Sequence, residues 1–343
     1  MQLTTFKLGQ ATEAEYAALA QFEQQIRHER TPDEPLIAAP LLIKLWENLP
    51  DFIDYRVWAW WDSERIVAAI MVHMLLLDTN RNLADLNLAV LPAYRGRGLA
   101  RGLLQAIQPT LVEAERNVLV SATTQSVAAG EHFAQKVGAE ARLKTHVNQL
   151  ILAELDHQLV QQWLEQSQHL GERFELGLWQ GPYPEAELAA IVDLYTVMNQ
   201  QPYDDLEYEP IQFTPSQLRE LEQTQMANGM QRWTYYVRER STQALAGFTE
   251  IFWHRERPHV VQQGDTGVFE HYRNHGLGRW LKAAMVDYIR HELPMVQFVR
   301  TTNANSNAPM LKINQALGFK PYLSQTMWQL SREQLAVYLN NER

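Results

Sequence analysis

The sequence predicts an α/β protein built from two similar domains, each a mixed central β-sheet flanked by helices. Two observations support this prediction. The chain has 343 residues, which is long for a single core, and one order of strand-like and helix-like segments occurs twice. The hydrophobic share of 46% is enough to fill two cores, so wholesale disorder is not expected.

The duplication is visible as matched short stretches in the same order. FKLG at 6–9 returns as FELG at 174–177, and the hairpin-like stretch 55–72 returns at 233–251. Arg95 matches Arg273 at an offset of 178. Within each half we expect a strand, one or two helices, three strands, a glycine turn, a helix, a strand, a helix and a last strand.

These matches place the first domain at 1–154 and the second at 174–343. The polar stretch 155–173 between them is predicted to be a connecting helix. At a constant offset of 178, Ala68 would correspond to Ala246. Pro109 is expected to kink the helix after the first glycine turn or to end it early.

Composition narrows the function classes. The formal net charge of −10 argues against non-specific nucleic-acid binding, which needs Lys and Arg to neutralise phosphates. The absence of cysteine excludes disulfides, thiol nucleophiles and cysteine-ligated zinc. The most apolar run, 66–77, is shorter than the ~20 residues of a membrane helix, so it predicts a buried strand and no membrane partner. The first residues lack a signal-peptide pattern, and we expect a cytoplasmic protein.

Two segments share a cationic, glycine-broken turn at the start of an amphipathic helix: YRGRGLARGLLQAI (94–107) and YRNHGLGRWLKAAM (272–285). Glycine lets backbone N–H groups approach a ligand, and the helix adds unpaired N–H groups and the positive end of its dipole. The pattern predicts an anion cradle, for which pyrophosphate is the usual ligand. Neither a GxGxxG fingerprint nor a GxxxxGK loop is present. A turn that merely connects two elements is the alternative, and its repetition at one offset weighs against it.

Both turns contain Arg-x-x-Gly-x-Gly/Ala, and NAPMLKINQALGF (307–319) reads as an Asn-led helix that ends in Gly-Phe. These segments resemble the acetyl-CoA-binding and closing elements of the GNAT N-acetyltransferase superfamily. The doubled arrangement is similar to its tandem members of the mycothiol-synthase type. The resemblance covers nearly the whole chain and implies acetyl-CoA, or another acyl-CoA, as the cofactor.

The resemblance also implies cofactor-binding residues in both copies. In the second copy they are Val268, Arg273, Asn274, His275, Gly276, Leu277, Gly278, Arg279, Asn303 and Asn307. In the first copy they are Val90, Arg95, Gly96, Arg97, Gly98, Leu99, Ala100 and Arg101. The family pattern directs the backbone N–H groups of the turns at the pyrophosphate and Asn307 at the pantetheine arm.

Two departures from the family pattern concern catalysis. The tyrosine that often protonates the leaving thiolate is replaced by Asn314 in the second copy and by Ala134 in the first. The first copy also has Val127 where the asparagine is expected. We therefore expect the second half to be catalytic and the first to bind CoA without turnover or to serve as a structural partner.

Acetyl transfer to an amine needs a group that removes the amine proton. Glu250, on a predicted strand, and Asp265, just before the predicted pantetheine strand, are the candidate bases, and Asn314 is a third catalytic candidate. At an offset of 178 the counterparts of the two acids are Val72 and Asn87, neither of which is a base. This again favours the second half.

The predicted function is an acetyl-CoA-dependent N-acetyltransferase acting on a primary amine, expected to be a small molecule, by direct transfer in a ternary complex. The alternatives are a protein N-acetyltransferase and a CoA-binding regulatory or scaffold protein with decayed catalysis. The acidic stretch 203–209 reads either as an exposed loop or as a loop covering a cationic substrate. No metal is expected, since His271 and His275 have no obvious third ligand. The oligomeric state is left open.

Overall fold

The computed structural model describes residues 1–341, and its elements follow one order twice. The first repeat comprises β1 (Gln2–Lys7), α1 (Glu13–Arg30), α2 (Ala39–Glu47), β2 (Ile53–Asp62), β3 (Arg65–Leu75), β4 (Leu83–Val90), α3 (Leu99–Glu113), β5 (Val118–Thr124), α4 (Ala128–Lys136) and β6 (Glu140–Ile151). It is followed by α5 (His157–Gln166). The second comprises β7 (Phe174–Gln180), α6 (Leu188–Tyr195), α7 (Pro215–Ala227), β8 (Met230–Glu239), β9 (Leu245–His254), β10 (Val260–Val268), α8 (Leu277–Glu292), β11 (Phe298–Ala304), α9 (Ala308–Ala316), β12 (Lys320–Ser331) and α10 (Arg332–Asn341). The α/β class and the order of elements predicted from the sequence are confirmed.

The chain forms two compact units that are not continuous in sequence. Unit 1 contains Met1–Lys144, Tyr203–Glu209 and the chain from Leu323 onward. Unit 2 contains Thr145–Pro202 and Pro210–Tyr322. Residues 342 and 343, which end the predicted second domain, lie outside the described residues.

These units differ from the predicted division into 1–154, 155–173 and 174–343. The reason is strand pairing: β12 pairs antiparallel with β5, and β6 pairs antiparallel with β11. The last strand of each repeat is therefore built mainly into the unit formed by the other repeat. The stretch predicted to be a connecting helix contains α5 and a 3-10 turn, Gln168–Glu172, and both belong to unit 2.

Each unit has a mixed sheet with one parallel contact. In unit 1 the order is β1-β2-β3-β4-β5-β12, and in unit 2 it is β6-β11-β10-β9-β8-β7. The parallel pairing joins Leu83–Leu86 of β4 to Val118–Ser121 of β5, and Val260–Gln262 of β10 to Phe298–Arg300 of β11. The paired strands both continue beyond these stretches, so each sheet is splayed at the carboxyl ends of its two parallel strands.

The helices cover both faces of each sheet. In unit 1, buried side chains of α1 and α3 pack on the sheet around Phe22, Ile70 and Leu103. In unit 2, α8 and α5 pack on the face that carries Ile251, and α6 packs on the face that carries Phe248. Among residues 1–341 no helix has the length and apolar character needed to cross a membrane.

Two local predictions need correction. Pro109 lies inside α3, which continues to Glu113 rather than ending early. Pro109 and Gln105 are both exposed, so the carbonyl of Gln105 that lacks its usual N–H partner faces water. The offset between the repeats is also not constant. Val90 and Val268 correspond at the offset of 178, but Ala68 pairs with Val90 whereas Gly247 pairs with Val268. Gly247, not Ala246, is therefore the counterpart of Ala68.

Candidate functional site

The two glycine turns adopt the same backbone conformation. Gly98 and Gly276 cap α3 and α8 in the left-handed region, with φ of 78° and 87°. Two residues earlier, Gly96 and Asn274 also have positive φ, 74° and 66°. No side chain caps either helix start, so the first-turn N–H groups are left for a ligand. Successive N–H groups in such a turn form a concave anion site.

The arginine side chains at the start of the two turns bind the protein's own backbone. Arg95 Nε donates to the carbonyl oxygen of Val90, and Arg273 Nε donates to that of Val268, both at 3.1 Å. Each guanidinium thus ties its turn to the end of the preceding strand. Their backbone groups remain in the turn, whereas the side chains fix its shape.

Unit 1 has an open cleft of about 440 Å³ at the splayed end of its sheet. Its wall includes the predicted cofactor residues of the first copy: Val90, Arg95, Gly96, Gly98, Leu99, Ala100 and Arg101. Arg97 is the exception, since its guanidinium lies 4.9 Å from the Tyr94 ring centroid and donates to Ala93. The structure therefore brings the first turn, α3 and α4 together around one cleft large enough for part of a nucleotide thioester.

Larger side chains occupy the equivalent positions in unit 2. Leu104, Ala134 and Ala139 line the cleft of unit 1. Their counterparts are Lys282, Asn314 and Phe319, because α3 and α8 begin at matched glycines and α4 and α9 end in the same way. Ala139 N donates to the Ala134 carbonyl and Phe319 N to the Asn314 carbonyl, both at 3.0 Å.

An asparagine cluster lies beside these positions. Asn303 Oδ1 accepts from Asn314 Nδ2 at 2.9 Å and from Asn148 Nδ2 at 3.3 Å, and all three side chains are buried. Asn314 Oδ1 is buried without a hydrogen-bond partner among the described residues. An amide has no ionisable proton to give, so Asn314 is not suited to replace the tyrosine as an acid.

Asn307, which the resemblance directs at pantetheine, caps α9. Its side chain accepts from Met310 N at 3.4 Å. Val127 holds the same place before α4 and offers no side-chain cap. The asparagine of the second copy therefore caps its helix, whereas the valine of the first copy does not.

Two acidic residues of unit 2, the buried Glu250 and the half-buried Asp265, lie close together. In β10 the pairing register shifts between Gln263 and Thr266, and this bulge brings the Asp265 backbone N–H to the Glu250 carboxylate. Burial, together with the negative charge of Asp265, raises the pKa of Glu250 to about 7. Burial also raises the pKa of Asp265 to about 6. The structure thus brings together the two candidate bases, which the sequence could only place on neighbouring strands.

Two tyrosines that the sequence did not single out contact Glu250. Tyr195 OH donates to Glu250 Oε2 at 2.8 Å, and Tyr183 OH lies 3.4 Å from the same oxygen. Arg232 stacks on the Tyr183 ring with its guanidinium carbon 3.5 Å from the ring centroid. Arg232 in turn forms a buried ion pair with Glu222. Tyr195 lies in a mostly apolar helix whose only other polar residue is Asp193, so its hydroxyl gave no recognisable signal.

Unit 1 has no equivalent acid among its described residues at these positions. Glu250 lies three residues after Gly247, and Met71 lies three residues after its counterpart Ala68. The counterpart of Glu250 is therefore Met71, not Val72 as the constant offset predicted. Asn87, the counterpart of Asp265, accepts from Arg30 at 3.2 Å. The inference that the first half lacks this base is unchanged, although the residue that replaces Glu250 is different.

The acidic stretch Tyr203–Glu209 belongs to unit 1. The Glu209 carboxylate accepts from Asn80 N at 2.6 Å, and the ring of Tyr208 packs against a buried cluster that includes Val118. Asp204 and Asp205 are exposed. The stretch is therefore anchored at its end and through Tyr208, with its two aspartates in solvent. In the described part of the chain, no group of three or more His, Cys, Asp or Glu is arranged to hold a metal ion.

Comparison with known proteins identifies the family. The model of the acetyltransferase (GNAT) family matches the chain twice, over residues 20–139 and 190–319. Among solved structures, a tandem GNAT protein from the clavulanic acid biosynthesis pathway aligns with a TM-score of 0.75 at 22% identity, covering 96% of this chain and 98% of its own. A GCN5-related N-acetyltransferase from Sphaerobacter thermophilus aligns with a TM-score of 0.65 at 15% identity, covering 96% and 95%.

A search of curated protein sequences gave no significant match. The two solved structures support the fold, and the double match of the family model covers more than half of the sequence. The chain belongs to the acetyltransferase (GNAT) family.

Proposed function

We propose that the protein is an acetyl-CoA-dependent N-acetyltransferase that acylates a primary amine of a small molecule by direct transfer, with catalysis in unit 2. The observation that supports this most strongly is the acid pair formed by the buried Glu250 and the half-buried Asp265. Two acids whose pKa values are raised towards neutrality are suited to accept a proton from an ammonium substrate near pH 7. Unit 1 has Met71 and Asn87 in their place.

The residues of unit 2 around the second glycine turn fit an acyl-CoA. The uncapped N–H groups of α8 after Gly276 would hold its pyrophosphate, and the splayed ends of β10 and β11 would receive its pantetheine arm. When bound, acyl-CoA supplies an activated thioester. The protein's own part is to position the amine, to take up its proton at Glu250 or Asp265, and to keep water away from the reacting groups.

The carboxyl pair also favours a cationic acceptor. Buried carboxylates attract an ammonium group and then accept the proton that makes it nucleophilic. Tyr195, Phe248 and Val197 pack together in one apolar and aromatic cluster of unit 2, and such surroundings suit an amine attached to a modest organic group. A lysine or N-terminus of a protein is the second candidate acceptor for the same chemistry.

The experiment is an amine panel assayed with acetyl-CoA, with release of the free thiol as the readout. We expect Glu250→Gln and Asp265→Asn each to lower kcat/KM by about 10²–10³-fold for the best amine. Because the base acts ionised, wild-type kcat/KM should fall as pH decreases through the pKa values near 7 and 6. The matched control is Glu154→Gln, an exposed acid of the same unit, which should leave kcat/KM unchanged.

A CoA-binding scaffold is the competing function, and the open cleft of unit 1, a unit in which Met71 and Asn87 replace the two acids, favours it. Tight CoA binding with no amine-dependent thiol release across the panel would support the scaffold and refute the transferase. Turnover that survives both acid substitutions would instead refute the assignment of catalysis to unit 2.

A further inference from the structure

Lys282 is a buried lysine at the position of unit 2 that corresponds to a cleft residue of unit 1. It lies on α8, and only 1% of its surface is exposed. Its counterpart Leu104 lines the open cleft of unit 1, so the fold itself does not require a lysine here. Lysine is almost never fully buried unless its charge is paired. The position therefore calls for an explanation other than packing.

The Lys282 amine has no polar partner in the described part of the chain. Neither a hydrogen bond nor an ion pair reaches its Nζ, which lies 5.8 Å from the centroid of the Phe319 ring. Burial lowers the pKa of Lys282 to about 7. About half of these side chains are therefore free amines at pH 7, compared with roughly one in 2,500 for an ordinary lysine.

The neighbouring side chains add a second unpaired group. Asn314 holds the position that corresponds to Ala134 in the cleft of unit 1, and its Oδ1 is buried with no donor among residues 1–341. Lys282 and Asn314 thus place a nucleophilic amine and an unsatisfied acceptor at the two positions of unit 2 that correspond to Leu104 and Ala134 in the cleft of unit 1. An unpaired buried acceptor costs about 1–3 kcal/mol, which a new donor can recover.

We propose that Lys282 is a self-acylation site, which takes the acyl group from acyl-CoA bound at the second glycine turn. The inference rests on the proposed function to the extent that acyl-CoA must enter unit 2. The lone pair of Nζ attacks the thioester carbonyl carbon, an amide C–N bond forms and the C–S bond breaks. The thiolate leaves with the bonding electron pair and takes the proton that the amine loses, so the products are N-acyl-lysine and free CoA.

The product suits its surroundings better than the lysine does. Acylation removes the buried charge permanently and leaves an amide whose N–H is a donor of the kind that Asn314 Oδ1 lacks. The reaction is expected to stop at one acyl group per chain, since it consumes its own nucleophile. Acylation of Lys282 would also enlarge a side chain beside the proposed acyl-CoA site, so it would limit further entry of acyl-CoA into unit 2.

The test uses the full chain incubated with acetyl-CoA, followed by intact mass measurement and peptide mapping. We expect one acetyl group at Lys282, added at least about tenfold faster than at any exposed lysine. The Lys282→Met variant should lose this modification. Lys312→Met, which removes an exposed lysine of α9, should retain it. An excess of free CoA should slow the reaction, because it competes with acetyl-CoA for the second glycine turn.

Each outcome decides a separate question. Acetylation spread over exposed lysines, with Lys282 unmodified, overturns the proposal, whether or not amines are turned over. Amine turnover with unmodified Lys282 leaves the transferase function standing without self-acylation. Stoichiometric acetylation of Lys282 without amine turnover supports self-acylation and counts against the transferase.

Discussion

Replacement of Lys282 by methionine should stabilise the protein, and by an amount that depends on pH. The pKa of this lysine falls from 10.5 to about 7 on folding, because burial disfavours the ammonium form. Each unit of difference between the folded and unfolded pKa is worth about 1.4 kcal/mol. At pH 7 the unfolded chain binds a proton at this lysine more readily than the folded chain does, which lowers the free energy of unfolding by about 4 kcal/mol.

The sign follows from proton binding. Between pH 7 and the unfolded pKa the unfolded chain binds more protons at this site than the folded chain does, so wild-type stability rises with pH. By pH 9 this reduction in unfolding free energy has dropped to about 2 kcal/mol. The advantage of Lys282→Met over the wild type should accordingly shrink by about 2 kcal/mol between pH 7 and pH 9.

Urea unfolding of the wild type and of Lys282→Met at pH 7 and pH 9, without acyl donor, measures how the difference in unfolding free energy between the two proteins changes with pH. Methionine has a similar length and matches the apolar character of Leu104, so a cavity is not expected. Lys312→Met, at an exposed position, is the control and should change the free energy of unfolding by less than about 0.5 kcal/mol at either pH. A pH-independent difference, or a variant less stable than wild type at pH 7, would refute the reasoning.

Two further substitutions test the network behind the acid pair. Tyr195→Phe removes the 2.8 Å hydrogen bond that stabilises the Glu250 carboxylate. The acid limb of the kcat/KM profile should therefore move to higher pH, while kcat/KM at pH values well above that limb is retained. An acid limb that does not move would contradict this role of Tyr195. Glu222→Gln leaves the buried Arg232 without its countercharge and should cost about 3–5 kcal/mol of unfolding free energy in denaturant titrations. Glu154→Gln, which breaks an exposed pair, should cost no more than about 1 kcal/mol, and equal losses in the two variants would argue against burial as the cause.

The sequence was sufficient to predict the order of elements and the glycine turns, because both are local. Hydrophobic periodicity marks the strands and helices, and a left-handed N-cap such as Gly276 favours glycine. The strand exchange could not be predicted. Since the repeats are similar, β6 and β12 each have two closely similar sheets to join, and only tertiary pairing decides between them.

The candidate site was predicted in its residue types but not in its contacts. Glu250 and Asp265 were identified from position alone, yet the bulge that joins them depends on how β10 pairs with β9. The roles of Tyr195 and Lys282 were missed for a different reason. Each lies in a helix whose pattern gives no sign that a polar group is buried there, and burial is a property of the packed unit.

The exchanged strands also set the order in which the protein can be completed during synthesis. Unit 1 begins at the first residue but lacks β12 until the ribosome has passed residue 331. At about 5–20 residues per second, roughly 10–40 s separate the emergence of β5 from that of β12. During this interval β5 presents an open edge to other chains. The first half of the protein to be made is thus the last to be finished, and a gene cut between the repeats would encode two fragments that must find each other to fold.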